Sequence, residues 1–261
     1  MWSLLLACAH PPEPPTVVHG AFHLPVAAPA RWPSPAVVVT PPPPGPRDLR
    51  RIVAIDPGHG AGDNHGAISS FGAEERVHTL WFSRILERGL GGFRVHPLRT
   101  TDDGPSYRSR VASAEASGAG ALISIHADAR GAVGQWSPRP GETWRIATSS
   151  PGFSILWSSR GPLGPRRQAL ARALSTHLAA AGFLPYAGDD YTGLYETDPE
   201  VPGVYRDLRG LYVLKDPTVP SVIIETHNAL DPREVARWAE PGVAEAFAAA
   251  VGAGLDDWFA R

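Results

Sequence analysis

Three polar strings each follow directly on an apolar run: Asp56–Pro57–Gly58–His59–Gly60 after Ile52–Ile55, His126–Ala127–Asp128 after Ala121–Ile125, and Glu225–Thr226–His227–Asn228 after Val222–Ile224. Imidazole and carboxylate are the side chains that hold a borderline divalent metal with a position left open for water. A lone histidine beside a strand is ordinarily structural or solvent-facing. Two that each end a buried strand, one of them between Gly58 and Gly60, read together as metal ligands, because glycine lets backbone or ligand come close. A helix starting near Glu74 would offer a carboxylate from its first turn, and spacing does not choose between Glu74 and Glu75, which otherwise read as favourable first-turn charges. Glu225 ends an apolar run, where burying a charge is costly without compensation. A metal-activated water supplies the reason, since a carboxylate in reach takes its proton and delivers it to a leaving nitrogen. The plainer reading of Glu225 is a cap on the following turn. His227 reads as a second acid, an oxyanion donor or an ordinary loop residue.

These residues need elements to carry them. Ile52–Ile55, Phe93–Pro97, Ala121–Ile125, Phe153–Trp157, Leu211–Leu214 and Ser221–Ile224 are short apolar runs, rich in β-branched residues and bounded by Gly, Pro or Asp, and they predict strands. Glu74–Arg88, Ser106–Ser117, Arg166–Ala181, Pro232–Trp238 and Val243–Phe259 predict helices; Leu170, Leu174, Leu178 and Ala181 form one apolar stripe. Alternating strands and helices over residues 51–261 predict one α/β domain, its mixed, largely parallel sheet covered by helices on both faces. In such sheets the ligand crevice lies beyond the carboxyl ends of the strands, where the three polar strings fall.

The composition narrows the alternatives. A formal charge of −2, from 24 Lys+Arg against 26 Asp+Glu, gives no global reason to bind nucleic acid or an anionic membrane. The single cysteine excludes internal disulfides and multi-cysteine zinc or iron–sulfur sites, so a metal here needs imidazole and carboxylate ligands. Almost half of the 28 prolines lie in the first 50 residues, Pro41–Pro44 among them, and residues 9–50 read as an extended tether. Val37–Val39 is its one apolar run, an edge strand or a sticky spot in the linker. Leu5–Leu6–Ala7–Cys8 resembles a lipoprotein cleavage box within a truncated signal at residues 1–8, although no Lys or Arg precedes it. On that reading Cys8 carries a lipid anchor.

Residues 52–230 resemble the zinc-dependent N-acetylmuramoyl-L-alanine amidases of the amidase-3 family of cell-wall hydrolases. The matching pieces fall in family order: Ile55–Gly60, Asp63, Gly66–Ala67, Gly72–Arg76 leading to Leu80, Arg99–Asp102, Arg110, Ser124–Asp128 and Pro220–Thr226. The resemblance implies a six-stranded mixed sheet flanked by helices, and one zinc ion held by His59, Glu75 and His126. It implies that Glu225 is the catalytic carboxylate, and gives Arg110 a supporting role. Arg76 stands where lysine is usual, Asp128 where asparagine is usual, and Thr226–Asp231 departs from the family's Gly-Phe pair. Arg110, Asp128 and His227 are the residues expected to contact substrate or support the site.

The implied activity is hydrolysis of the amide between N-acetylmuramic acid and L-alanine in peptidoglycan, by a monomer in the periplasm or cell envelope, lipid-anchored to the outer membrane. Two alternatives are a zinc peptidase cutting within the stem peptide and a non-catalytic peptidoglycan-binding module. The polar stretch Ala187–Arg206 reads as a substrate-binding wall or as a lid that an activator protein would displace; its Gly and Pro content favours loop over long helix.

Overall fold

The computed structural model describes residues 51–261. The Cys8 signal, the 9–50 tether and Val37–Val39 lie outside the described residues. In chain order the elements are β1 (Ile52–Pro57), α1 (Glu75–Gly89), β2 (Arg94–Pro97), α2 (Tyr107–Ala116), β3 (Ala121–Asp128), a hairpin of β4 (Gly134–Trp136) and β5 (Trp144–Ile146), and β6 (Ser154–Trp157). There follow α3 (Gly164–Ala180), a single 3-10 turn at Asp189–Tyr191, β7 (Tyr195–Thr197), β8 (Val204–Asp207), α4 (Tyr212–Lys215), β9 (Ser221–Asn228), α5 (Pro232–Trp238) and α6 (Val243–Phe259).

The main sheet has seven strands in the order β2-β1-β3-β9-β6-β8-β7, one more than the six expected. β2, β1, β3 and β9 run parallel to their neighbours, β6 turns antiparallel to β9 with β8 parallel to it, and β7 closes the edge antiparallel. Two corrections account for the difference. Leu211–Leu214 is largely helical: Asp207 accepts the amides of Arg209, Gly210 and Leu211, and the turn so formed leads into α4. A four-residue apolar run fits either a short strand or a helical turn, and here the capped turn decided. Residues 195–207 supply two further strands of this sheet, β7 at the exposed edge, which needs no continuous apolar signal, and β8 between β6 and β7, whose apolar part is only Val204–Tyr205.

Alternation along the central strands separates two faces. Val53, Ile55, Ile123, Ile125, Val222 and Ile224 pack with Phe82, Leu86, Leu170, Leu174, Phe247 and Val251 of α1, α3 and α6 in the larger core. Each such fully buried aliphatic side chain contributes about 1.5–3 kcal/mol. Ala54 and Leu122 face Ala114 of α2. With both faces covered, β1, β3 and β9 are locked in register and end together at one rim. Among the described residues no helix is long and apolar enough to cross a membrane.

Candidate metal centre

The chain leaves β1 at Pro57 and turns sharply. Gly58 N–H donates to Ile125 O of β3 at 2.8 Å, and a Cβ on Gly58 would lie 2.5 Å from His126 Cε1 and Nε2, so only glycine lets the β1 loop lie against the His126 ring. His59 has φ 63°, the sole positive φ outside glycine among the described residues. That conformation costs on the order of 1 kcal/mol and is held by its surroundings. Arg110, 1% exposed, donates to His59 O at 2.5 Å and Pro57 O at 2.8 Å, and pairs with buried Asp56 at 3.0 Å. Asp56 also accepts from Ser124 Oγ at 2.8 Å. Arg99 grips the same loop, donating to Pro57 O and Gly58 O; burial, with Arg110 nearby, pulls its pKa down to about 10. Arg110, expected in a supporting role, and Arg99, for which no role was expected, both hold carbonyls of this loop.

Glu75 is the second residue to arrive. The free amides opening α1 are capped by the preceding loop, Glu75 N–H by Ala67 O at 2.8 Å and Arg76 N–H by His65 O at 3.1 Å, which fixes the rotation of the helix's first turn. Glu75 is 6% exposed, with Oε2 accepting Ala67 N–H at 2.8 Å and Oε1 accepting Ala127 N–H at 3.0 Å. Oε1 lies 2.9 Å from His59 Nε2 and 3.1 Å from His126 Nδ1, and the two ring nitrogens are 3.1 Å apart. Gly66, φ 75°, passes so close that its Cβ would meet Glu75 Oε2 at 2.6 Å. Burial acts to raise the Glu75 pKa, but hydrogen bonds from His126 and then His59 outweigh it and hold the carboxyl well below the usual carboxylate range. Glu74 points elsewhere, paired with Arg76 Nε at 2.6 Å and His65 at 3.4 Å. The choice that spacing left open falls on Glu75.

Among the described residues, His59, Glu75 and His126 are the group that could hold a metal ion together, each offering one atom with all three within 4.8 Å. The donor set fits: around a tetrahedral zinc with bonds of about 2.0–2.1 Å, ligand atoms lie roughly 3.3 Å apart, close to the spacings found. A second observation agrees. Glu225 Oε2 is sealed from solvent with no hydrogen-bond partner among the described residues, an unsatisfied acceptor beside the triad. Glu225 is the Cα partner of His126 across the parallel β3–β9 pair. Desolvation first, then Asp128 and Glu75, drive its pKa well above the usual carboxylate value.

The other expected site residues have different surroundings. Asp128, at the end of β3, pairs with Arg130 at 3.0 Å and accepts from Tyr191 Oη. Arg130, which also binds Ser150 O and Gly152 O and lies 3.9 Å over the Tyr186 ring, was not foreseen. His227, 3% exposed, stacks on Trp238 at 5.3 Å and meets His78 edge-on at 4.8 Å, its Nδ1 2.9 Å from Thr226 Oγ1. Burial lowers its pKa well below the usual imidazole value, and its ring lies outside the His59–Glu75–His126 cluster. The β4–β5 hairpin braces the loop leading to Glu75, Trp136 Nε1 donating to Ser70 O at 2.7 Å. Residues 187–206 hold no α-helix; Tyr191 ties them to Asp128 and Ser154.

Comparison with known proteins agrees with this geometry. Two curated relatives match parts of the chain: N-acetylmuramoyl-L-alanine amidase AmiC of Escherichia coli O6:H1, 34% identical over 86 residues, and AmiC of Neisseria meningitidis serogroup B, 39% identical over 93 residues. The matched parts cover 32% and 34% of this chain, and span only about a fifth of each relative's length, 20% and 22%. Among solved structures, the N-acetylmuramyl-L-alanine amidase Ami1 from Mycobacterium smegmatis superposes with a TM-score of 0.63 at 24% identity, over 82% of this chain and 99% of that one. Such a likeness establishes the fold. The Amidase_3 model, described as N-acetylmuramoyl-L-alanine amidase, matches residues 53–257, from the first buried residue of β1 to the last turn of α6, and the chain belongs to that family.

Proposed function

We propose that the chain is a zinc amidase that hydrolyses the amide joining N-acetylmuramic acid to the L-alanine of the peptidoglycan stem peptide. The observation that carries this reading is the His59–Glu75–His126 cluster with Glu225 in register beside it. His59 Nε2, Glu75 Oε1 and His126 Nδ1 would hold one zinc ion. Bound there, zinc supplies Lewis acidity, lowering the pKa of water and polarising the scissile carbonyl oxygen. Glu225 accepts the proton of the attacking water as its oxygen bonds to the carbonyl carbon. Glu225 then passes that proton to the alanine nitrogen as the carbon–nitrogen bond breaks. Burial raises the Glu225 pKa, which makes it a stronger base towards the water proton than an exposed carboxylate would be. Arg110 and Arg99 keep the strained His59 loop in place.

The Cys8 lipid anchor and the 9–50 tether belong to the same reading, holding the domain near the wall in the periplasm or cell envelope. The test is mass spectrometry of soluble products from purified peptidoglycan incubated with the full chain, with added zinc and with a chelator. Free stem peptides beginning in L-alanine, lost on chelation, are the expected result. Fragments cut within the stem peptide would make it a peptidase, and binding to peptidoglycan without release, at full zinc occupancy, would make it a binding module.

A further inference from the structure

Asn64 lies between Asp63 and Gly66, in the loop that joins His59 to Glu75. Its Oδ1 is 2.8 Å from His59 Nδ1 and accepts Gly66 N–H at 3.1 Å, and its Nδ2 donates to Tyr107 Oη at 2.8 Å. The backbone amide of Gly66 can only donate, so the amide atom facing it, and facing His59, is the oxygen. His59 Nδ1 therefore carries a hydrogen, and Nε2 is the nitrogen left to offer its lone pair to a metal. Nε2 is the atom that faces Glu75 Oε1 at 2.9 Å and His126 Nδ1 at 3.1 Å.

Asn64 is itself held at its backbone and at its side chain. Gly60 N–H donates to Asn64 O at 2.8 Å and closes the turn. Tyr107 is the first residue of α2, and one turn further on the same helix presents Arg110, which grips His59 O and lies 5.1 Å over the Tyr107 ring. One helix thus holds His59 at its backbone, through Arg110, and at its ring, through Tyr107 and Asn64.

We propose that Asn64 is a positioning residue for the metal: it selects the His59 tautomer and ring plane that present Nε2, and so sets the affinity of the site. The proposal rests on the metal-centre reading above. A partner on the far nitrogen of a ligating histidine fixes its orientation and raises its basicity, and losing one typically weakens metal binding about 10–100-fold. An aspartate at position 64 would keep the acceptor; an alanine would remove it.

The experiment measures zinc affinity of the full chain by competition with a chromogenic chelator, for the parent protein, Asn64→Ala and Asn64→Asp, with thermal unfolding of each metal-free form. ¹⁵N-resolved NMR of the metal-free proteins, at a pH where the ring is neutral, reads the His59 tautomer directly. Asn64→Ala is expected to bind zinc about 10–100-fold more weakly, with its metal-free melting temperature little changed and its His59 tautomers mixed. Asn64→Asp is expected to bind at least as tightly as the parent, which a purely structural role would not produce. Parent-like affinity in Asn64→Ala, equal weakening in Asn64→Asp, or an Nε2–H tautomer in the metal-free parent would each overturn the proposal. If the parent itself binds no zinc, the metal-centre reading fails instead, and the tautomer measurement still decides whether Asn64 orients the ring.

Discussion

His126 and Glu225 are Cα partners across the parallel β3–β9 pair, although almost a hundred residues of chain separate them. The ladder puts an imidazole of the candidate metal cluster and a sealed carboxylate oxygen without a hydrogen-bond partner among the described residues side by side at the rim of the sheet. Glu225 Oε2 has no hydrogen-bond partner among the described residues, the triad included, so its removal should separate chemistry from metal binding. Glu225→Gln is expected to lower kcat by about 10²–10⁴-fold while zinc content by atomic absorption stays at that of the parent. Activity at the parent's level would remove Glu225 from the mechanism.

Adjacent carboxylates give a paired control. Glu75 contacts both histidines and two backbone amides, whereas Glu74 pairs with Arg76 and His65. Glu75→Ala should abolish zinc binding in calorimetric titration. Glu74→Ala should leave it intact, within the few tenths of a kcal/mol in stability expected of a part-exposed ion pair. Equal effects from the two would contradict the ligand assignment.

Arg110 is a buried charge whose partner, Asp56, is equally buried. Arg110→Met leaves that carboxylate uncompensated and should cost about 3–5 kcal/mol in urea unfolding. Adding Asp56→Asn should restore part of that loss, since the orphaned charge goes with it. The double variant should still bind zinc more weakly than the parent, because His59 O has lost the guanidinium that holds its left-handed backbone. Strict additivity of the two substitutions in a double-mutant cycle would argue against the pair.

The close approach at Gly58 predicts a local effect. An added methyl lies 2.5 Å from the His126 ring and 2.6 Å from Ile125 O, and backbone cannot yield as a flexible side chain does. Gly58→Ala should weaken zinc binding by displacing His126, and far-UV circular dichroism should remain that of the parent. Normal zinc affinity would show that the loop relaxes freely.

Glu234 should give the fold a pH dependence. It is 6% exposed and accepts amides from Gly152 and Asn228, and burial raises its pKa from 4.5 to about 7. Between those values the folded state holds a proton that the unfolded chain has lost, so stability is full below about pH 4.5, falls as pH rises, and levels off above about pH 7. The loss amounts to about 3 kcal/mol at most. Glu234→Gln should therefore gain stability relative to the parent across that window, measured as melting temperature against pH. Parallel curves for the two proteins would rule the effect out.

Much of this protein was legible in one dimension because its chemistry sits where apolar runs end. A buried parallel strand has to be a short continuous apolar run, and the residue at its carboxyl end has to lie at the crevice, so His59, His126 and Glu225 stand out from their neighbours in the sequence. Family resemblance chose Glu75, and the loop that caps the first turn of α1 shows physically why Glu74 faces away. Strands β7 and β8 were not legible: β7 lies at the exposed edge and needs no apolar pattern, and β8 has only four residues, with the apolar pair Val204–Tyr205 followed by Arg206 and Asp207. Leu211–Leu214 misled because the turn that Asp207 caps outweighs β propensity over so few residues. His227 has a type and position that fit an acid, and only the tertiary structure shows its ring buried between Trp238 and His78. Asn64 carries no signal at all in the sequence. Its role depends on which atoms of His59, Gly66 and Tyr107 surround one amide, and that is decided only when β1 and α2 pack together.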